Sequence, residues 1–203
     1  NFFSNIWPIS FFSFEDLRLF FSLVLIAISC IIMGAGIPTT ATYIILVAVA
    51  APALAQLGIE PLVAHFFVFY YGVLADITPP VALAAYAASG IAKSNPFRTG
   101  NTAFRLGIAK ALVPFVFVYS PSLLLITGEF QTNQLIITLI GTLIGIALIG
   151  IAFSGYWLRP LMKYEQIFVG IGSLFFVAPG IGSMLIGILI ILPILFLQFY
   201  KKN

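Results

Sequence analysis

Two polar interruptions of otherwise apolar sequence hold the residues that could do chemistry. The first break reads GAGIPTT (34–40) and the second reads DITPP (76–80). Both supply threonine hydroxyls and prolines that cannot donate a backbone hydrogen bond, and the glycines of the first break permit a tight backbone path. Oxygen atoms of this kind are the ligands that hard cations prefer. The candidate ion- or substrate-binding residues are Gly34, Gly36, Pro38, Thr39, Thr40, Asp76, Thr78 and Pro79.

Both breaks need partners, because non-helical backbone at membrane depth is tolerated only inside protein or along a watery cavity. They lie on consecutive elements, so we expect them to meet. Carbonyls at half-helix C termini, with threonine oxygens, would then coordinate a sodium ion, and the candidate sodium ligands are Thr39, Thr78 and Asp76. The facing half-helix N termini carry partial positive charge and suit a substrate carboxylate. Apolar segments interrupted by glycine and proline are typical of a secondary transporter's binding site.

Three further side chains allow more than one interpretation. A carboxylate near the middle of a membrane costs roughly 2.5–3.5 kcal/mol on insertion scales and indicates function. Asp76 could therefore be a cation ligand, a proton carrier or the cap of a helix over 81–92. His65 follows the start of its segment by about one turn and is interpreted as an interfacial or hydrogen-bonded residue. Tyr43, one turn past the first break, can either pack or reach the cavity.

The composition places these residues in a membrane. Of 203 residues, 62% are hydrophobic and 7% are charged, whereas soluble domains carry about 25% charged residues. Apolar tracts of about 20 residues recur along the chain and predict a polytopic helical membrane protein rather than a β-barrel. Nine basic and six acidic residues form no cluster that could bind nucleic acid. One cysteine, Cys30, excludes an internal disulfide.

Charges also predict the topology. Basic residues concentrate in a stretch at 93–110, in a loop at 154–165 and at the last residues, and all three lie in the cytoplasm in one orientation. The crossing over 61–92 then starts outside and ends inside. The tract over about 17–57 is either one broken crossing or a re-entrant hairpin that enters from outside, and its acidic start favours the hairpin.

The predicted fold is an all-α integral membrane bundle with a re-entrant hairpin and a broken transmembrane helix. We predict a transport repeat at 1–127, which contains the hairpin, the broken helix 61–92 and a span over 111–127. Three additional transmembrane helices follow at 128–203. Since the chain opens with Asn1 and has no basic signal-peptide start, we expect it to be the C-terminal portion of a longer polypeptide.

Three stretches together resemble tripartite ATP-independent periplasmic (TRAP) transporters with fused membrane subunits. They are GAGIPTTATYIILVAVAAPAL, the segment from LGIEPLVAHFF through DITPP, and RLGIAKALVPF. The resemblance implies an elevator-type, sodium-driven importer (a symporter) of organic acids in the bacterial inner membrane. It implies sodium as the coupling ion without another cofactor. The implied partners are a periplasmic binding protein, the N-terminal remainder of the permease and the lipid bilayer. The turn APGIGSMLIG departs from the family by being less polar.

Other function classes fit the sequence less well. An intramembrane enzyme needs a nucleophile with a base or a metal cluster, and one histidine, one cysteine and one mid-membrane acid do not supply either. A channel needs a continuous polar lining, which the apolar spans after residue 110 lack. The main alternative is another elevator-type, ion-coupled secondary transporter that works without a binding protein.

Overall fold

The structure is a computed structural model that describes residues 14–125, 132–178 and 180–200. This part of the chain is α-helical and contains no strand. It divides into two compact units, and the boundary along the chain lies between Val118 and Tyr119. The N-terminal unit contains α1 (Phe14–Gly34), α2 (Thr39–Gln56), α3 (Pro61–Ala75), α4 (Leu83–Ala92), α5 (Pro96–Gly107), a 3₁₀ segment (Ile108–Leu112) and α6 (Val113–Tyr119), whose last residue is at the boundary. The C-terminal unit contains a 3₁₀ turn (Pro121–Leu124), α7 (Thr132–Ser154), α8 (Lys163–Val177) and α9 (Ile181–Tyr200).

Five helical segments are long and apolar enough to cross a membrane. They are Leu17–Gly34, Thr39–Gln56, Pro96–Tyr119, Thr132–Ser154 and Ile181–Tyr200. The predicted all-helical, multi-pass membrane fold is therefore confirmed. The shorter apolar helices α3 and α4 flank the second break.

The first two helices form a hairpin that packs on α3. Short connections at 35–38 and 57–60 join α1 to α2 and α2 to α3, so that consecutive helices run antiparallel. Each connection contains a glycine with positive φ, Gly36 at 84° and Gly58 at 80°, a conformation that other residues rarely adopt. Helix α3 lies at the centre, because Val63, Phe67 and Val68 are all buried. The straight, once-broken crossing weighed for 17–57 is not the arrangement observed.

The basic stretch differs from the loop that the sequence suggested. A helix, α5, begins at Pro96 and is capped by Asn95, whose Oδ1 accepts a hydrogen bond from the Arg98 N–H at 3.0 Å. An asparagine cap followed by proline at the first helical position is a strong helix start. The helical run then continues to Tyr119, so the span begins earlier than the predicted 111–127.

Glycines bring the helices of the C-terminal unit close together. A Cβ on Gly141 of α7 would lie 2.6 Å from the Phe176 carbonyl oxygen of α8. On α9, a Cβ on Gly187 would lie 2.8 Å from a ring carbon of Phe176. Small residues at such contacts allow the van der Waals packing that holds membrane helices together, because lipid supplies little hydrophobic driving force.

A buried polar network joins the ends of α8 and α9. The Arg159 guanidinium donates to both carboxylate oxygens of Glu165, at 2.6 and 3.2 Å, and Gln198 donates to the same carboxylate at 3.1 Å. Glu165 and Gln198 are fully buried. Burial raises the pKa of the Glu165 carboxyl, but hydrogen bonds from Arg159, the Met162 N–H and Gln198 outweigh it, and the pKa lies below its ordinary value.

Candidate functional site

The first break is a tight turn that leaves the start of α2 open. Helix α1 ends at Gly34 and α2 starts at Thr39, after Pro38. No side chain caps the N terminus of α2 in the described part of the chain. Thr39 and Thr40 are both exposed. The first backbone N–H groups of a helix have no intrahelical acceptor, so this end presents amide and hydroxyl donors to whatever faces it.

The second break releases backbone carbonyls after α3. The Ile77 and Thr78 amides fold back onto the Leu74 and Ala75 carbonyls, at 3.2 and 3.1 Å. No hydrogen bond reaches the carbonyls of Ile77 or Pro79 from the residues that the structure describes. The Thr78 hydroxyl donates to the Leu74 carbonyl at 2.7 Å, which leaves the lone pairs of its oxygen available. These oxygen atoms are the freed acceptors that the sequence predicted.

Asp76 stands at the C-terminal end of α3, and its backbone carbonyl accepts a hydrogen bond of 3.1 Å from the Ala84 N–H in the first turn of α4. The cap position of α4 is Ala82, and no side chain caps it. Within residues 14–125, 132–178 and 180–200, the half-buried Asp76 carboxylate makes no hydrogen bond or ion pair. A helix C terminus carries partial negative charge, so the carboxylate and the helix end together favour a cation. The interpretation of the Asp76 side chain as the cap of α4 is therefore wrong, because Asp76 contacts α4 through its backbone carbonyl.

The first break packs against the residues on either side of the second. A Cβ on Gly34 would lie 3.1 Å from the Cβ of Ala75, which directly precedes the second break, and 3.3 Å from the Gly72 carbonyl oxygen. A Cβ on Gly36 would lie 3.6 Å from Cγ1 of Val81, which directly follows the second break. The hairpin tip can approach this closely because both of its contact positions lack side chains. The two breaks are therefore neighbours in the structure.

The sequence matches the family described as "Tripartite ATP-independent periplasmic transporter, DctM component" over residues 12–132. This match covers more than half of the chain and includes both breaks. The chain belongs to this TRAP transporter family. It is accordingly part of a secondary transporter rather than a member of an enzyme family. No curated protein and no solved structure matches the chain.

A third element of this TRAP transporter chain packs against the second break. A Cβ on Gly107, the last residue of α5, would clash with Cδ1 of Ile77. Nearer the start of α5, a Cβ on Gly100 would lie 2.9 Å from the ring of Tyr86, whose hydroxyl donates to the Pro80 carbonyl at 2.7 Å. This element was not among the predicted site residues, although Gly107 in RLGIAKALVPF marks a close helix contact.

Two residues beside the breaks hold the TRAP hairpin against α3. Buried Thr42 donates its hydroxyl proton to the Ile37 carbonyl at 3.0 Å. A Cβ on Gly72 of α3 would lie 3.1 Å from the Thr42 methyl group. Neither residue was a predicted site residue, because a single threonine or glycine in an apolar helix carries no signal until its packing partner is known.

Tyr43 and His65 form a pair away from the breaks. The Tyr43 hydroxyl and Nδ1 of His65 lie 2.7 Å apart, and the Tyr43 ring also contacts Phe69 edge-on. His65 is thus hydrogen-bonded within the protein, as interpreted from the sequence. Tyr43 is directed to α3, so of its two possible roles the structure shows the packing role.

The oxygen atoms at the breaks suit a hard cation. The described residues contain no group of three or more His, Cys, Asp or Glu that could hold a metal ion. The second break provides hydroxyl, carbonyl and carboxylate oxygens. These ligands suit alkali or alkaline-earth ions rather than transition metals. Thr39, Thr78 and Asp76 lie on the two adjoining breaks, but no hydrogen bond between them occurs among the described residues. Their roles as sodium ligands stay predictions.

Proposed function

We propose that this chain forms part of the ion and substrate site of a sodium-coupled importer of organic anions. A periplasmic binding protein would deliver the carboxylate substrate, and the permease would act in the bacterial inner membrane together with its remaining segments. The observation that carries the proposal is the packing of Gly34, in the first break, against Ala75, which directly precedes the second break. It supports a single site built from two half-helix ends of opposite polarity.

The cation would bind at the C-terminal end of α3. This end offers the Thr78 hydroxyl oxygen, the unbonded carbonyls of Ile77 and Pro79, and the Asp76 carboxylate. A sodium ion that has lost its water needs several such oxygens. The negative pole of the helix adds to their attraction.

The substrate carboxylate would bind at the N-terminal end of α2. Its uncapped amides and the hydroxyls of Thr39 and Thr40 are donors, and this helix pole is positive. Because the breaks are neighbours, the cation and the anion would lie side by side. Each charge lowers the electrostatic cost of binding the other, which is reciprocal coupling between ion and substrate.

Membership of the TRAP family supports delivery by a binding protein. The competing idea, an elevator-type transporter that works without a binding protein, has no observation in this structure that favours it. Omitting the binding protein from an uptake assay separates the two ideas.

The proposal is tested by replacing Thr78 with valine in the assembled permease, reconstituted in proteoliposomes. Valine keeps the shape but removes the hydroxyl oxygen. We expect sodium-driven uptake from a panel of labelled mono- and dicarboxylates to fall roughly tenfold or more, the effect of about 1.4 kcal/mol. The concentration of sodium at half-maximal rate should rise. The matched control is Thr78→Ser, which keeps the oxygen and should transport.

Unchanged uptake by Thr78→Val at both limiting and saturating sodium would remove Thr78 from the ion site. Replacing Asp76 with asparagine then tests the charge alone. Since Asp76 bonds to α4 through its backbone carbonyl, which asparagine keeps, and not through its side chain, normal transport by that variant would mean that its carboxylate does not bind the cation.

A further inference from the structure

Helix α5 returns from the end of α4 to the second break. The chain turns at 93–95, and Gly100 then packs against Tyr86 of α4. At the end of the same helix, Gly107 packs against Ile77 inside the second break. Twelve residues of α5 advance by about 18 Å. The residues that follow Gly107 therefore lie beside the second break.

Lys110 lies in the 3₁₀ segment that follows Gly107. The neighbouring Ala111 carbonyl accepts a hydrogen bond of 2.6 Å from the hydroxyl of Tyr71, which is buried in α3. Ala109, on the other side, is also buried. These contacts fix the backbone on both sides of Lys110, whereas the Lys110 side chain itself is exposed in this chain.

The charge of Lys110 is not neutralised by the described part of the chain. The two ion pairs among those residues are Arg18–Glu15 and Arg159–Glu165. The sequence between Asp76 and Glu129 contains no acidic residue. A cation at membrane depth is costly and is found next to a partner or a water-filled cavity. Lys110 therefore needs an anion that the described residues do not provide.

We propose that Lys110 binds the carboxylate of the transported acid. This inference rests on the proposed function and names the cationic group that would recognise the substrate. The second break is the common neighbour, because Val81, which directly follows it, lies next to Gly36 of the hairpin tip, and Ile77 within it packs against the end of α5. The substrate would thus be held between the start of α2 and the Lys110 ammonium, with the cation on its other side. A lysine supplies a mobile point charge on a long stem, which suits carboxylates of varied shape.

The test replaces Lys110 with cysteine in an assembled permease whose other cysteines, including Cys30, have been replaced. Uptake is measured for the acid that the unmodified permease transports from the panel described above. We expect Lys110→Cys to raise the KM for that acid at least tenfold while leaving the sodium dependence and the amount of protein in the membrane unchanged. Treatment with 2-aminoethyl methanethiosulfonate restores an ammonium group at this position and should restore uptake. The sulfonate reagent of similar length should not.

Arg98 on the same helix provides the matched control. It is a basic residue near the start of α5, far along the chain from Gly107. Arg98→Cys should transport normally before and after either reagent. Lys110→Arg should keep most of the uptake, because it keeps the charge.

Each result decides between specific alternatives. Normal KM in Lys110→Cys, with sodium-driven uptake intact, would overturn this inference and leave the proposed function standing. Loss of the protein from the membrane, or a fall in maximal rate without a change in KM, would mean that Lys110 pairs with a protein carboxylate instead. Absence of sodium-driven uptake in the unmodified permease would overturn the proposed function itself, and this inference with it.

Discussion

The two units satisfy their charged groups in different ways. In the C-terminal unit, Glu165 is fully buried and receives hydrogen bonds from Arg159, Gln198 and the Met162 amide. In the N-terminal unit, Asp76 and Lys110 make no ion pair with any described residue. A closed network contributes to stability, whereas unpaired charges at membrane depth lower stability until something binds. The comparison supports the proposal that the N-terminal unit binds the ion and the substrate.

Glycine serves two purposes in this chain. Glycines within helices, such as Gly141 of the C-terminal unit and Gly72 of the N-terminal unit, let neighbouring helices touch. Gly36 instead has a positive φ and follows the end of α1 in the middle of an apolar tract. The first use needs no exposed backbone groups, and the second creates them. Substitutions that act on one unit alone test how each unit depends on its contacts.

The largest loss of stability is expected when the buried polar network of Arg159, Glu165 and Gln198 loses its carboxylate. Glu165→Ala leaves the buried Arg159 guanidinium without its partner, and breaking a buried pair in this way costs about 3–5 kcal/mol. The matched control is Glu15→Ala, since the Glu15–Arg18 pair is largely exposed at 3.5 Å and worth at most about 1 kcal/mol. Unfolding of both variants in detergent gives the comparison. Equal losses of stability would contradict the role assigned to the network.

A smaller effect is expected from a methyl group between α7 and α8. In Gly141→Ala the added Cβ lies 2.6 Å from the Phe176 carbonyl oxygen, so the helices must move apart. Overpacking of this kind costs about 1–3 kcal/mol. Gly150 lies on the same helix with nothing within 4 Å of its added Cβ, and Gly150→Ala should be neutral or slightly stabilising. Thermal unfolding of the two variants measures the difference, and a neutral Gly141→Ala would show that this contact is loose.

The smallest effect is expected from the hydrogen bond between α2 and α3. Tyr43→Phe removes the hydroxyl that lies 2.7 Å from His65 but keeps the ring contact with Phe69. One hydrogen bond contributes about 0.5–1.5 kcal/mol. The control is Tyr164→Phe, because the exposed Tyr164 hydroxyl makes no hydrogen bond in the described part of the chain. If Tyr43→Phe were no less stable than this control, the pair would not hold the hairpin.

Much of the fold and part of the site followed from the sequence. Apolar length predicted the membrane helices, and the glycines and prolines of the two breaks marked where these helices end. The helical start at Asn95 and Pro96 was visible but was outweighed by the cluster of basic residues, which suggested a loop. The partners of Gly72 and Gly107 could not be predicted, because a glycine contact depends on which helix lies opposite. The prediction that the Asp76 side chain caps α4 was wrong, because it is the Asp76 backbone carbonyl that accepts the Ala84 N–H.

The contact between Ile77 and Gly107 determines which segments of the N-terminal unit can move independently. Ile77 belongs to the second break, while Gly107 ends a helix that Tyr71 also anchors to α3 through the next segment. The hairpin tip packs next to the same break, since Gly36 lies beside Val81. If this unit shifts between the two faces of a membrane, these three pieces are expected to travel as one rigid body. The bound ion and substrate would then keep the same protein ligands throughout the movement. Contacts between this unit and the rest of the permease would open and close the access to the site.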